Sequence, residues 1–174
     1  MKQMTVRQLV NDYYSSLEYT SLRVESQKQY KYFLDKMLST KIEQRRFSKL
    51  NISELSTRMA TLAYDMWCKN GITMANYILS VSRVTFSHAL RLEYVNVNPF
   101  SEVKKRSNKS RSVVWTRDDV HKFLTTAYSD FQTRNIGLIA HMAYEWCQRL
   151  GDMRMLTWDA LDFDNKRVHI RQSK

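Results

Sequence analysis

The 174-residue chain is 43% apolar and 12% aromatic, enough to build one large or two small cores. A net charge of +11 and an isoelectric point near 9.7 point to a polyanionic partner, while three glycines and one proline point to a mostly helical protein. No signal peptide and no bilayer-spanning apolar run is read, and the basic residues are not gathered on one amphipathic helix as an acidic membrane surface requires.

Thr5 is placed to cap a first helix with Val6, Leu9, Val10, Tyr13, Tyr14 and Leu17 on one face. A second helix is expected over residues 22–38, with Tyr30, Phe33, Leu34 and Met37 inward and Lys28, Lys31 and Lys36 facing solvent or nucleic acid. Residues 41–49 read as a polar, basic connection. Ser53 then caps a third helix carrying Leu55, Met59, Leu62, Ala63, Met66 and Trp67, which Asn70-Gly71 stops. Thr73 opens a fourth with Tyr77, Ile78, Val81, Val84 and Leu92 inward, ending before Asn98-Pro99. Four amphipathic helices in residues 1–103 predict a helical bundle.

Residues 104–112, KKRSNKSRS, hold five basic side chains and no acid, the composition of a linker. Formal charge is +5 over residues 1–103, +5 over this short segment and +1 over residues 113–174. Lys104, Lys105, Arg106, Lys109 and Arg111 are therefore candidate contacts to the phosphates of a polyanionic partner, with a solvated tether as the plain alternative.

In residues 113–174, Thr116 and Asp119 form a capping pair for a helix through Val120, Phe123, Leu124 and Ala127. A further helix over residues 134–146 is expected to bury Ile136, Ile139, Ala140, Ala143 and Trp146, delivering Arg149 at its end. Arg149, Gly151 and Asp152 precede a new apolar run, Met153, Leu156 and Trp158, so a helix start is expected beside the Arg149 guanidinium. Both favour an oxyanion, and the guanidinium can bind two phosphate oxygens at once. Leu161 and Phe163, the turn Asp164-Asn165-Lys166, then Val168 and Ile170 alternate as a hairpin that ends in Gln172-Ser173-Lys174. On spacing alone, these residues equally fit a structural arginine, a surface lysine and an ordinary edge hairpin. Cys68 and Cys147 lie in apolar helical contexts without metal or disulfide spacing, so buried thiols in a reducing compartment are expected. His121, His141 and His169 have no partner cluster and read as structural or surface residues.

Gln148-Arg149-Leu150-Gly151-Asp152-Met153, then Leu156-Thr157-Trp158-Asp159, then Gln172-Ser173-Lys174, resembles the first half of a tyrosine recombinase (phage integrase) catalytic domain. That pattern is roughly Thr-Gly-Leu-Arg-x-Gly-Glu, Leu-x-Trp-x-Asp and a hairpin ending in lysine. Trp146-Cys147-Gln148 departs from its lead-in, and Asp152 stands for its glutamate. Upstream, Asn76-Tyr77-Ile78-Leu79, Phe86-Ser87-His88-Ala89 and the run Tyr94 to Pro99 resemble the last helix of the core-binding domain found ahead of such catalytic domains.

The resemblance implies a SAM-like four-helix bundle, a basic linker and an incomplete α+β catalytic part, with two basic lobes clamping a duplex. It implies that Arg149 clamps the scissile phosphate, that Lys174 is the general acid toward the leaving 5′-hydroxyl, and that Asp152 supports them. Lys166 and Arg171 are candidate phosphate contacts. The family's His-x-x-Arg motif and nucleophilic tyrosine have no counterpart before Lys174, so a partial or interrupted chain is expected. The chemistry so implied is strand exchange through a Holliday junction, without metal or nucleotide cofactor, by a mobile-element integrase self-associating on DNA in a bacterial cytoplasm. A type IB topoisomerase fits less well, lacking a short helical domain ending in Asn-Pro. A non-catalytic DNA-binding accessory or inhibitory protein of the same architecture is the alternative.

Overall fold

The structure, a computed structural model, describes residues 4–108 and 112–172 and divides into two compact units, residues 1–110 and 111–174. Its elements are mainly α-helices, with two small two-stranded antiparallel sheets.

In the first unit, Thr5 and Gln8 form a reciprocal capping box that starts helix α1 (Val6–Ser15), and Val6, Leu9, Val10 and Tyr13 are buried. Leu17 departs from the expected stripe and is 84% exposed. Ser16 ends α1 in an extended conformation and caps α2 (Leu17–Thr20); the break rephases the face, so Tyr19 is buried instead. Helix α3 (Val24–Ser39) starts two residues later than expected and buries Leu34, Met37 and Leu38.

The polar, basic connection over residues 41–49 contains secondary structure. Strand β1 (Lys41–Ile42) pairs antiparallel with β2 (Arg45–Arg46), and a single 3-10 turn follows at Phe47–Lys49. Ile42, Phe47, Leu50 and Ile52 are all buried, and these four anchors outweigh the polar composition around them. Ser56, not Ser53, caps α4 (Thr57–Lys69), because Ser53 is used in a 3-10 turn, Ile52–Glu54.

Helix α5 (Ile72–Arg91) begins at Gly71 rather than Thr73; the joint with α4 needs φ of +124° there, which glycine adopts without strain. It is the central helix, packed on α1, α3 and α4. Tyr77 and Leu92 were expected inward but are 54% and 45% exposed: Tyr77 falls beside the face defined by Ile78 and Val81, and Leu92 lies past the last helical turn. His88 Nε2 meets Asp12 Oδ2 at 3.2 Å and Arg91 pairs with Glu18, tying α5 to α1 and α2.

The bundle closes through Asn98. Its Nδ2 donates to the Arg83 carbonyl and Ser87 Oγ, both at 3.0 Å, and its Oδ1 accepts the buried Phe100 N–H at 3.0 Å. Arg83 donates to the carbonyls of Phe100 (2.9 Å) and Val103, so residues 98–103 run back along α5 with Phe100 fully buried against Phe86 and Trp67.

In the second unit, Thr116 and Asp119 form the expected capping box of α6 (Arg117–Ser129). Helix α7 (Arg134–Glu145) crosses it where a Cβ on Gly137 would lie 2.8 Å from Ala127 Cβ. A short α8 (Leu150–Arg154), a 3-10 turn at Trp158–Ala160 and a hairpin of β3 (Leu161–Asp162) and β4 (Arg167–Val168) complete it. Ile136 and Trp146 were expected to be buried, yet they are 59% and 37% exposed, and Trp158 is 80% exposed. Among the described residues of this unit only Ala127, Gly137, Asp152 and Met153 are buried. The two cysteines, both expected to be buried, are half-buried (Cys68) and exposed (Cys147).

Candidate nucleic-acid interface

The Arg149 corner is built by the way α7 ends. Trp146 is the last near-helical residue, Cys147 turns left-handed at φ +52°, and the Gln148 N–H donates back to the Ala143 carbonyl at 3.1 Å. This is a Schellman-type stop, in which the left-handed position ordinarily holds glycine. The chain leaves it extended through Arg149, which is the N-cap of α8 and exposed. The amides of Asp152 and Met153 donate to the Arg149 carbonyl at 3.0 and 3.2 Å, fixing its backbone, and Asp152 points inward, 6% exposed. A helix starts at the corner as expected, but it has five residues, so its dipole is small and oxyanion attraction there rests on the guanidinium.

The hairpin returns to that corner. Leu161 lies opposite Val168 and Asp162 opposite Arg167, while Asp162 Oδ1 and Oδ2 accept from the backbone and side chain of Asn165 at 3.0 and 2.9 Å. Those bonds hold the Asp162 carboxyl below its ordinary range and set the turn, with Lys166 left-handed at φ +52°. The His169 N–H donates to the Ala160 carbonyl at 2.8 Å, and beyond it Gln172 Nε2 donates to Gln148 Oε1 at 3.2 Å. The strand's exit is thus hydrogen-bonded to the residue beside Arg149. Arg171 is exposed on that exit, and Lys166 is exposed in the turn, at the far end of the hairpin. Ser173 and Lys174 lie outside the described residues, as do Lys109 and Arg111 in the basic segment.

Of the remaining basic candidates, Lys104 and Lys105 are exposed, while Arg106 is engaged at three points. Its N–H donates to the Tyr64 hydroxyl (2.6 Å), that hydroxyl donates to Asn76 Oδ1 (2.7 Å), and Asn76 Nδ2 donates to the Arg106 carbonyl (2.8 Å). Its guanidinium pairs with Asp65 at 2.8 Å. Burial raises the Tyr64 phenol above its ordinary pKa, which keeps the proton that Asn76 accepts. The expected linker over residues 104–112 is therefore not a free tether at its start: it is strapped to α4 and α5 as far as Asn108, which donates to Thr73 Oγ1. Sequence reasoning missed Tyr64, Asn76 and Arg83. The available signal was an asparagine inside an apolar-periodic helix, a residue that disfavours helix interiors unless its amide is used.

Among the described residues no His, Cys, Asp and Glu cluster could hold a metal ion, and no helix is long and apolar enough to cross a membrane. The hydroxyl of Tyr128 meets His141 Nδ1 at 3.1 Å, and His121 and His169 are exposed.

No protein-family model and no curated protein matches the chain by sequence. Solved structures do match. A lambda integrase dimer bound to a COC′ core site superposes with a TM-score of 0.76 at 16% identity, covering 92% of this chain and 44% of that one. Residues 75–356 of lambda integrase, again a dimer on a COC′ core site, give 0.81 at 17% identity over 98% of this chain and 59% of that one. The Tn1549 transposon integrase in complex with circular intermediate DNA gives 0.74 at 20% identity, covering 93% and 52%. The chain has the integrase fold. It spans about half the length of the solved integrases it matches. With that fold in place, Cys147 acquires a physical meaning: it occupies the left-handed stop where the resembled pattern carries glycine, and the stop forms without it.

Proposed function

We propose that the chain is a duplex-DNA-binding part of a tyrosine-type site-specific recombinase, acting in DNA integration or excision for a mobile element. Its first unit and basic strap hold the duplex by its phosphates. Its second unit presents Arg149 to the phosphodiester that is to be cleaved, with Arg171 contributing charge nearby and Lys166 contacting a flanking phosphate. Lys174 is proposed as the proton donor to the leaving 5′-hydroxyl, and Asp152 as the buried support of the corner. Lys104, Lys105, Arg106, Lys109 and Arg111 are proposed as sequence-independent phosphate contacts, Arg106 by exchanging Asp65 for a phosphate. Self-association on DNA, a bacterial cytoplasmic setting and freedom from metal or nucleotide belong to the same reading.

The observation that carries this reading is the hydrogen bond between Gln172 and Gln148, which returns the hairpin exit to the Arg149 corner within an integrase fold. Phosphoryl transfer of this kind depends on several cations converging on one phosphate, so Arg149 alone supplies binding rather than rate. The test is duplex binding by fluorescence anisotropy across a salt series. The affinity should fall steeply with salt, and Arg149→Ala should lower the log–log slope by about 0.9, one phosphate, with the unfolding midpoint unchanged. A salt-insensitive affinity, or an Arg149→Ala variant that binds like the parent, would overturn it.

A further inference from the structure

Beside the strap lies a second feature that the Arg149 corner does not use. An open cleft of about 240 Å³ is lined by Thr73, Asn76, Tyr77, Ser80, Lys105 and Asn108. These six lining residues offer an ammonium, hydroxyls and amides, and no carboxylate. The acid on α4, Asp65, does not line the cleft and pairs with Arg106 when no duplex is bound. The cleft falls below the roughly 300–1,000 Å³ of pockets that enclose whole small molecules, so it suits a single small oxyanion group with its charge at the rim.

The walls are held in place from behind. Tyr64, Asn76 and Arg106 close a ring of three hydrogen bonds between 2.6 and 2.8 Å, which fixes the backbone of Arg106, the residue after Lys105, to α4 and α5. Tyr64 is 2% exposed, so its hydroxyl works in a largely dry setting where such bonds are strong. Among the lining residues, the Tyr77 ring stacks on Phe33, with centroids 5.2 Å apart and planes within 8°. Thr73 Oγ1 accepts from Asn108, which leaves its own proton for an outside acceptor.

We propose that this cleft is a phosphate subsite for the duplex backbone, in which Lys105 supplies the charge, Thr73 and Tyr77 supply hydroxyl donors, and Tyr64 and Asn76 are positioning residues that hold Lys105 over it. The inference rests on the DNA-binding reading above and deepens it. The basic strap is a preorganised contact rather than a charged tether, so less side-chain and backbone freedom is lost on binding.

The experiment is a double-mutant cycle on the full chain, measuring duplex affinity across a salt series for the parent, Lys105→Gln, Tyr64→Phe and the pair. Lys105→Gln should lower the log–log slope by about 0.9 and weaken binding to all sequences alike, and Lys105→Arg should restore the slope. Tyr64→Phe should lower the slope by the same amount, and adding Lys105→Gln to it should change nothing further, because the lysine is no longer held. Asn76→Ala breaks the same ring from α5 and serves if Tyr64→Phe fails to fold. Inorganic phosphate at matched ionic strength should compete with the parent and not with Lys105→Gln if the cleft takes the phosphate group itself. An unchanged slope in Lys105→Gln overturns the subsite, and additive effects of the two substitutions overturn the positioning role. A parent with no salt dependence would instead remove the DNA-binding reading on which both stand.

Discussion

Replacing Cys147 with glycine should tighten the corner that carries Arg149. Cys147 sits at φ +52° at the stop of α7, and a side chain with a Cβ costs roughly 1–2 kcal/mol in that region. Glycine removes the cost but also loosens the unfolded chain, by about 0.4–1 kcal/mol. The thiol itself contributes little, being exposed with its Sγ 3.9 Å from the Tyr144 carbonyl. A surplus of about 0.5–1 kcal/mol remains, a two- to fivefold shift in local opening at about 1.4 kcal/mol per tenfold. Native-state hydrogen exchange of the Gln148 amide reads it directly, since that N–H closes the stop on Ala143. Cys147→Gly should slow exchange two- to fivefold, and Cys147→Ala, which keeps the Cβ, should not. Equal protection in the two variants would refute the argument from backbone strain.

Gly137→Ala gains about 1 kcal/mol in helix propensity but sets a Cβ 2.8 Å from Ala127 Cβ, an overlap that costs about 1–3 kcal/mol; urea unfolding should show a net loss of about 1 kcal/mol. Asn98→Ala removes three hydrogen bonds and strands the buried Phe100 amide, so the first unit should lose about 3 kcal/mol in the same assay, with the loss confined to that unit. Asp119 accepts from the Thr116 amide and hydroxyl, which holds its carboxyl below the ordinary 3.8. A depressed folded value means that its support of α6 is present above the unfolded pKa and is lost as the pH falls through the folded one. Exchange protection in the first turn of α6 should therefore decline below about pH 4 in the parent and be insensitive to pH there in Asp119→Asn.

What could be read in the sequence was what is local. The Thr5 cap, the Thr116–Asp119 capping pair and the hairpin about Asp164-Asn165 are short-range patterns with one dominant solution, and they formed as expected, Gln8 adding a reciprocal bond at Thr5. The Arg149 corner was also legible, because a guanidinium, a glycine and an acid within four residues ahead of an apolar run leave few arrangements. Phase was harder. Ser16 lies in a continuous apolar stripe, and nothing beside it signals that its hydroxyl will cap a new turn and exchange Leu17 for Tyr19. Ser53 was the expected cap, and the 3-10 turn that buries Ile52 takes it up, so the cap moves to Ser56. The closures at Asn98 and at Tyr64, Asn76 and Arg106 join residues up to 42 positions apart, so they depend on the packing of α4 against α5 and leave no periodic trace. Cys147 misled for a simple reason: its apolar neighbours suggested burial, whereas the backbone stop turned it outward.

The most direct test of the central claim is a two-dimensional amide spectrum of the chain titrated with a short duplex. If Arg149 and the hairpin exit receive a phosphodiester, the shifts in the second unit should concentrate on the amides of residues 148–154 and 169–172, and Arg149→Ala should erase them while leaving those at the strap. Shifts that spare residues 148–154, or that persist without Arg149, would contradict it.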